Sequence, residues 1–176
     1  MLYRVIDRAD VPSLVAALME RYEVVAPVRR GEKYVFAAVS DFDEIELDYP
    51  STVASPKKYL MPAIQTLFEF DTAANDVTDY VEEVRPRVLF GVHACDINGI
   101  MNLNSVFNDA RYPDPYYAAH RAATLIVGVS CMPSEHCFCN LMDSEEARPG
   151  YDLFLTAIGE RYLVSIGSVV GANILE

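Results

Sequence analysis

The sequence has neither a long apolar run nor an excess of basic residues. Its longest apolar runs, such as LIVGV at 125–129, are far shorter than the roughly 20 residues that a membrane-spanning helix requires. Only 14 Lys and Arg stand against 26 Asp and Glu, and the formal net charge of −12 argues against a nucleic acid or an anionic membrane as the partner. The opening residues MLYRVIDRAD lack the apolar region of a signal peptide, so a cytoplasmic, reducing location is predicted.

Several enzyme motifs are also missing. No G-x-G-x-x-G follows a predicted strand, which argues against a flavin- or nicotinamide-binding enzyme. No C-x₂-C begins a predicted helix, which argues against a thiol–disulfide oxidoreductase. No Ser-His-Asp set and no pair of carboxylates has a spacing in the sequence that points to a catalytic site. Catalysis by this chain alone is therefore not expected.

Apolar residues make up 52% of the 176 residues. A chain of this length can bury enough surface to form one stable hydrophobic core without disulfide bonds. Helical and alternating apolar patterns predict elements before residue 85. They are helix 11–21, strands 22–28 and 33–39 joined by a hairpin turn, strand 44–49, a helix from Ser55 to about Phe68, and helix 75–84.

The middle of the chain predicts the fold class. PRVLFGVHA (86–94) and ATLIVGVSC (123–131) are predicted to be buried strands, and CDINGIMNLNSVF (95–107) the helix between them. Near-continuous apolar strands around a helix indicate parallel pairing. We predict an α/β fold, a mixed sheet with a parallel βαβ core and helices packed on it. It is expected to form a single α/β domain over residues 1–176, within which residues 1 to about 50 can form an αββ subdomain.

The four cysteines follow the ends of these two strands. Cys95 comes directly after the first strand, Cys131 ends the second, and Cys137 and Cys139 follow in the loop CMPSEHCFC. The carboxyl ends of parallel strands meet at one edge of a sheet, so the four thiols are expected to converge there. Four thiolates can hold a [4Fe–4S] cluster or a zinc ion.

The spacing of the cysteines leaves alternatives open. It matches neither the C-x₂-C-x₂-C run of ferredoxins nor paired zinc knuckles. Buried packing of free cysteines and a redox disulfide within the loop remain as other interpretations. His136, inside the loop, is a substitute ligand or an outer donor to sulfur. His93 is predicted to be a hydrogen-bonded residue at the end of its strand, and Asp96 to cap the following helix.

Five stretches occur in a characteristic order. They are YPSTVASPKKYLMPAIQTLFEF (49–70), LFGVHACDINGI (89–100), DPYY (114–117) with Arg121, VGVSCMPSEHCFC (127–139) and YDLFLTAIGERYLV (151–164). Together they resemble the beta subunits of sulfhydrogenases and the A subunit of anaerobic sulfite reductase. The His93-Ala94 pair departs from the Arg-Pro pair of that family.

The resemblance implies an iron–sulfur electron-transfer subunit of an anaerobic oxidoreductase, such as a hydrogenase or a sulfite reductase, rather than a catalytic chain. Its [4Fe–4S] cluster, held by the four cysteines, is expected to be lost or replaced by zinc in an aerobic preparation. The alternative function is a structural zinc-binding interaction domain without a redox role. Family members continue into a C-terminal ferredoxin-like module, so this chain is expected to be a truncated form or a shortened homologue. That module and the other subunits of the complex are the expected partners.

Three basic residues are further candidates for cofactor binding. Lys57 and Lys58 are predicted at a helix start, an unfavourable place for cations that hints at an anionic partner. Arg121, near the DPYY segment, is the third candidate and can alternatively pair with Asp114. The DPYY segment, residues 101–107 and the Met132-Pro133 pair are candidates for an interface beside the cysteine edge.

Overall fold

The computed structural model describes residues 2–81, 83–135 and 137–175. Its strands are β1 (Leu2–Asp7), β2 (Glu23–Arg30), β3 (Lys33–Ala38), β4 (Phe68–Asp71), β5 (Asp76–Asp79), β6 (Arg87–Val92), β7 (Thr124–Val129), β8 (Leu153–Ile158) and β9 (Arg161–Ile166). Its α-helices are α1 (Val11–Met19), α2 (Ala94–Phe107), α3 (Pro115–Ala122) and α4 (Val169–Ile174), and short 3₁₀ turns cover Arg8–Asp10, Phe42–Glu44 and Pro56–Tyr59.

Seven strands form one mixed sheet in the order β1-β9-β8-β7-β6-β2-β3. The four central strands β8, β7, β6 and β2 are parallel, and antiparallel pairs close both sides. β6 and β7 are neighbours joined through α2 and α3, which confirms the predicted parallel unit and the α/β class. Strands β4 and β5 form a separate hairpin.

Each face of the sheet buries its own apolar cluster. Alternate residues of a strand point to opposite faces, so Val88 and Phe90 of β6 join the cluster that contains α1, while Leu89 joins the cluster that contains α2. The α2 side is filled by Ile97 and Ile100, which are fully buried. Burying each such side chain stabilises the fold by roughly 1.5–3 kcal/mol, so α2 is held firmly against the strands whose ends carry the cysteines.

A β-bulge interrupts β6 just before its end. The register against β7 shifts by one residue between Phe90 and Val92, and Gly91 has a φ of +77°. A side chain at Gly91 would meet Leu47 at 3.0 Å and Pro27 at 3.2 Å. The bulge turns Val92 onto the α2 side and re-aims the backbone that leads to Cys95.

Three predicted elements before residue 85 were wrong. Instead of a helix to Phe68, only the 3₁₀ turn Pro56–Tyr59 forms, because Pro62 lacks the N–H that a helix interior needs. Instead of helix 75–84, strand β5 pairs with β4 around Asn75, which adopts a left-handed conformation in the turn, while position 82 is outside the described residues. Instead of strand 44–49, Asp41 and Glu44 form a capping box around a 3₁₀ turn. Helix α1 and the β2–β3 hairpin are confirmed.

None of the helices within the described residues is long and apolar enough to cross a lipid bilayer.

Candidate functional site

The cysteines lie where β6 and β7 end side by side. The backbone N–H groups of Asp96 and Ile97 donate to the His93 carbonyl, which starts α2 and puts Cys95 in its first turn. Cys131 follows β7 at the same edge, and Ser130 before it is fixed to β8 because its N–H donates to the Leu155 carbonyl at 2.8 Å. The parallel pairing of the two strands thus brings together cysteines that are 36 residues apart in sequence.

All four cysteines of the chain line one cavity of about 240 Å³. Cys139 is the common neighbour, because its thiol contributes to raising the pKa of Cys95 and Cys131 and to lowering the pKa of Cys137. The four thiols are free rather than paired as disulfides. The cavity is several times larger than the roughly 30 Å³ that one water occupies, so it has room for a group of several atoms.

The loop that carries three of the cysteines is folded by its own hydrogen bonds. The Ser134 backbone N–H donates to the Cys137 sulfur at 3.3 Å, and the Ser134 hydroxyl lies 3.4 Å from the same sulfur. After Cys139, the backbone N–H of Ser144 donates to the Cys139 carbonyl at 2.9 Å. His136, the substitute ligand considered from the sequence, lies outside the described residues.

A buried asparagine fixes the segment that follows this loop. The Asn98 side chain on α2 donates to the Glu146 carbonyl at 2.8 Å and accepts from the Arg148 N–H at 2.8 Å. Both ends of the cysteine loop are therefore tied to the sheet and α2, one through Ser130 and the other through Asn98.

The thiols differ in their surroundings. Burial, reinforced by the Asp96 carboxylate and the sulfurs of Cys139 and Cys131, raises the pKa of Cys95 to about 12. Burial and the neighbouring sulfurs also raise the pKa of Cys131. The Ser134 hydroxyl and N–H lower the pKa of Cys137. Thiolates at Cys95 and Cys131 thus require positive charge in the cavity, which a metal ion supplies when it deprotonates a coordinating thiol.

Two stacked rings form another part of the cavity wall. The rings of Tyr49 and His93 lie 4.0 Å apart with an interplanar angle of 11°, and the Tyr49 hydroxyl donates to the Gly91 carbonyl at 2.8 Å. Burial raises the pKa of Tyr49 and lowers that of His93 to about 4. His93 was predicted to be hydrogen-bonded, but its buried Nε2 has no partner among the described residues.

Asp96 connects α2 to the segment that leads into the Pro56–Tyr59 turn. Its carboxylate accepts from the Ser55 hydroxyl at 2.5 Å and from Lys57 Nζ at 2.9 Å. Ser55 also caps the turn by accepting from the Lys57 N–H. Asp96 was expected to act mainly as a helix cap, and the structure gives it this bridging role instead.

The other two candidate basic residues contact backbone carbonyls outside the cavity lining. Lys58 Nζ donates to the Phe36 carbonyl at 3.0 Å. Arg121 donates to the carbonyls of Thr124 and Gly150 rather than pairing with Asp114, which caps α3. Cofactor binding by Lys57, Lys58 and Arg121 stays a prediction.

The cysteine loop and the residues just after it expose apolar side chains. Met132 is 83% exposed, and Phe138, Leu141 and Met142 are also largely exposed. Of the other candidate interface residues, Tyr117 is buried against Phe107. This exposed apolar surface, here called the apolar rim, is therefore formed by the loop and the residues just after it rather than by the DPYY segment.

Sequence reasoning found the cysteines but missed Tyr49, the role of Asn98 and the unpartnered nitrogen of His93. Tyr49 closes a segment whose alternating pattern was mistaken for a strand. Asn98 has no sequence pattern, because its partners are backbone groups 48 and 50 residues away.

The arrangement of ligands is not that of a ready-made site for one ion. Within residues 2–81, 83–135 and 137–175, no group of three or more His, Cys, Asp and Glu side chains is placed to hold a metal ion. The donor set itself, four soft sulfurs around a shared cavity, suits iron–sulfur clusters and other thiolate-bound metals.

Comparison with known proteins agrees with the motifs. No protein-family model matches the chain, and no solved structure matches it. The chain is 41% identical over 160 residues to the sulfhydrogenase 2 subunit beta of Pyrococcus furiosus. The match covers 91% of this chain but only 47% of that subunit, so the chain spans about half the length of its relative. The predicted resemblance is confirmed: this chain is similar to the beta subunit of a sulfhydrogenase over nearly all of its own length.

Proposed function

We propose that this chain binds a [4Fe–4S] cluster through Cys95, Cys131, Cys137 and Cys139 and carries electrons within an oxidoreductase complex. The observation that carries the proposal is that every cysteine of the chain lines one cavity at the carboxyl edge of the parallel strands. A packing role would not require four thiols around a shared space. The similarity to a sulfhydrogenase subunit supports an electron-transfer role, and a cytoplasmic location stays a prediction from the sequence.

The residues around the cavity would have distinct tasks. Each cysteine would give up its thiol proton and ligate one iron. When bound, the cluster supplies a centre that takes up and returns one electron. Tyr49 and His93 narrow the access of water on one wall, and the hydrogen bonds of Ser134 and Asn98 hold the loop in position. Proteins set the reduction potential of such a centre by excluding water from the site and by holding N–H donors in fixed positions around it.

The apolar rim is the surface that we assign to the partner. Electron transfer requires that another redox centre approach closely, and Met and Phe are favoured in interface cores. Met132 and Phe138 flank the cysteines in sequence and are exposed. The proposed partners are the other subunits of the complex, including a ferredoxin-like module.

A single structural zinc is the alternative function. Zinc binds sulfur at about 2.3 Å, so its ligand sulfurs lie within about 4.6 Å of one another. A cubane spreads four cysteines around a larger body, one per iron. The volume of the cavity favours the larger group.

The test is anaerobic reconstitution of the chain and of four single Cys→Ser variants with ferrous iron and sulfide. Wild type is expected to bind about four irons with a broad visible absorption. Each variant is expected to lose most of its iron or to hold a less stable cluster. Met132→Ser, next to Cys131 but 83% exposed, is the matched control and should bind as much iron as wild type. Equal iron in all variants would refute the ligand set.

A further inference from the structure

His93 is a buried polar side chain on the wall of the cysteine cavity. It is 5% exposed and lines the cavity together with the four cysteines. Its Nε2 atom is buried without a hydrogen-bond partner among the described residues. Most buried side-chain nitrogens are hydrogen-bonded, so an unpartnered one calls for an explanation.

The ring is held in its place by its neighbours. It stacks on Tyr49, whose hydroxyl is anchored to the Gly91 carbonyl inside the bulge of β6. The backbone of His93 is fixed as well, because its carbonyl accepts the first two hydrogen bonds of α2. Because stacking restrains the ring and hydrogen bonds restrain the backbone, the unpartnered Nε2 atom has a defined position.

Leaving a buried donor or acceptor without a partner destabilises a protein. Such a group persists when a ligand completes its hydrogen bonding. Groups able to do so line the same cavity as His93: the sulfurs of Cys95, Cys131, Cys137 and Cys139 and whatever they bind.

We propose that His93 Nε2–H donates a hydrogen bond to a sulfur atom, thiolate or sulfide, of the iron–sulfur group held by the four cysteines. This rests on the proposed function. The donor is a positioning residue that tunes the group rather than a ligand, because four thiols already supply one ligand per iron. A hydrogen bond to sulfur stabilises the extra negative charge of the reduced state, so His93 raises the reduction potential.

The redox event has a simple balance. One electron enters from an electrode through a mediator, no covalent bond forms or breaks, and the proton stays on Nε2. Removing the donor should therefore make reduction harder without changing the number of irons.

The experiment compares His93→Phe and His93→Gln in the 176-residue chain, reconstituted anaerobically with ferrous iron and sulfide. Phenylalanine keeps a ring for stacking on Tyr49 but has no donor, whereas the glutamine amide can reach the position of Nε2. The readout is the midpoint potential by spectroelectrochemistry. We expect His93→Phe to shift the redox equilibrium tenfold toward the oxidised form, which lowers the midpoint potential by about 59 mV for a one-electron couple. His93→Gln should recover most of the wild-type potential.

His120→Gln is the matched control, since His120 is equally buried but does not line the cavity. It should leave the potential unchanged. If His93→Phe does not fold, His93→Asn replaces it, because its shorter amide cannot reach the Nε2 position and should give the same lowered potential.

A second readout separates this role from a structural one. The thermal midpoint of the metal-free chain should not fall in His93→Phe, because Nε2 has no hydrogen bond to lose within the described residues. A fall in that midpoint with an unchanged potential would overturn the proposal. Loss of iron in His93→Phe would also overturn it, since it would make His93 a ligand.

The outcomes distinguish the two proposals. A wild-type chain that binds no iron defeats the proposed function and this inference together. A wild-type chain that binds about four irons, with the same potential in His93→Phe, defeats only the inference.

Discussion

Replacing Asp96 with alanine should destabilise the metal-free chain by about 2 kcal/mol. Asp96 accepts hydrogen bonds from the Ser55 hydroxyl at 2.5 Å and from Lys57 Nζ at 2.9 Å. It is the contact through which α2, with Cys95 in its first turn, holds the segment that leads into the Pro56–Tyr59 turn. The substitution removes both hydrogen bonds at once and leaves the partners without an acceptor.

The magnitude follows from the exposure of the partners. A hydrogen bond to a charged acceptor contributes roughly 1.5–3 kcal/mol, and the short bond from Ser55 is placed at the lower end of that range because the site is only partly buried. The Lys57 side chain is 34% exposed, so its ion pair with Asp96 adds no more than about 1 kcal/mol. A total near 2 kcal/mol corresponds to a fall of about 4–8 °C in the melting temperature for a chain of this length.

Urea unfolding of the metal-free chain, followed by circular dichroism, measures this loss. Asp96→Asn should lie between wild type and Asp96→Ala, since its amide oxygen still accepts from Ser55. Asp109→Ala is the matched control, because Asp109 also pairs with a basic residue, Arg111, but on the surface, and it should lose less. An unfolding free energy of Asp96→Ala within about 0.5 kcal/mol of wild type would refute the bridging role.

Three further predictions concern the bulge, an acidic turn and the common neighbour of the thiols. Gly91→Ala forces a side chain at φ +77° against Leu47 at 3.0 Å, so it should destabilise the chain by about 1–3 kcal/mol, measured by urea unfolding, whereas Ala at exposed Gly31 should be milder because it meets nothing. The N–H of Ser40 and its hydroxyl lower the pKa of Glu44, so the stability that its carboxylate contributes is present above the unfolded pKa and is lost as the pH falls through the folded pKa. Glu44→Gln should therefore lower the melting temperature at pH 7 by more than it does in acid in which Glu44 is protonated, and a pH-independent difference would contradict this. Cys139→Ser should reduce iron binding more than Cys137→Ser, because Cys139 adjoins all three other thiols, and the opposite order in an iron assay would contradict this.

The sequence predicted the parallel core well because its strands are buried on both faces. Continuous apolar runs at 86–94 and 123–131 with a helix between them leave few other arrangements. The placement of Cys95 and Cys131 followed from this topology alone, since both come directly after parallel strands that are neighbours in the sheet.

The segment 55–84 was harder because its apolar periodicity does not correspond to burial. Ile64 is 93% exposed and Phe68 is also exposed, so the pattern that predicted a helix does not face a core. Pro62 and the turn at Asn75 decided the local structure instead. The wall of the site was beyond prediction for another reason: Tyr49 and His93 meet only because the Gly91 bulge and the irregular segment after Glu44 bring them together.

The most direct test of the account is the iron, sulfide and zinc content of the chain isolated without exposure to oxygen. The account predicts about four irons and four acid-labile sulfides per chain, lost together when Cys95 is replaced by serine. One zinc per chain with no sulfide, or four irons that survive the loss of Cys95, would contradict it.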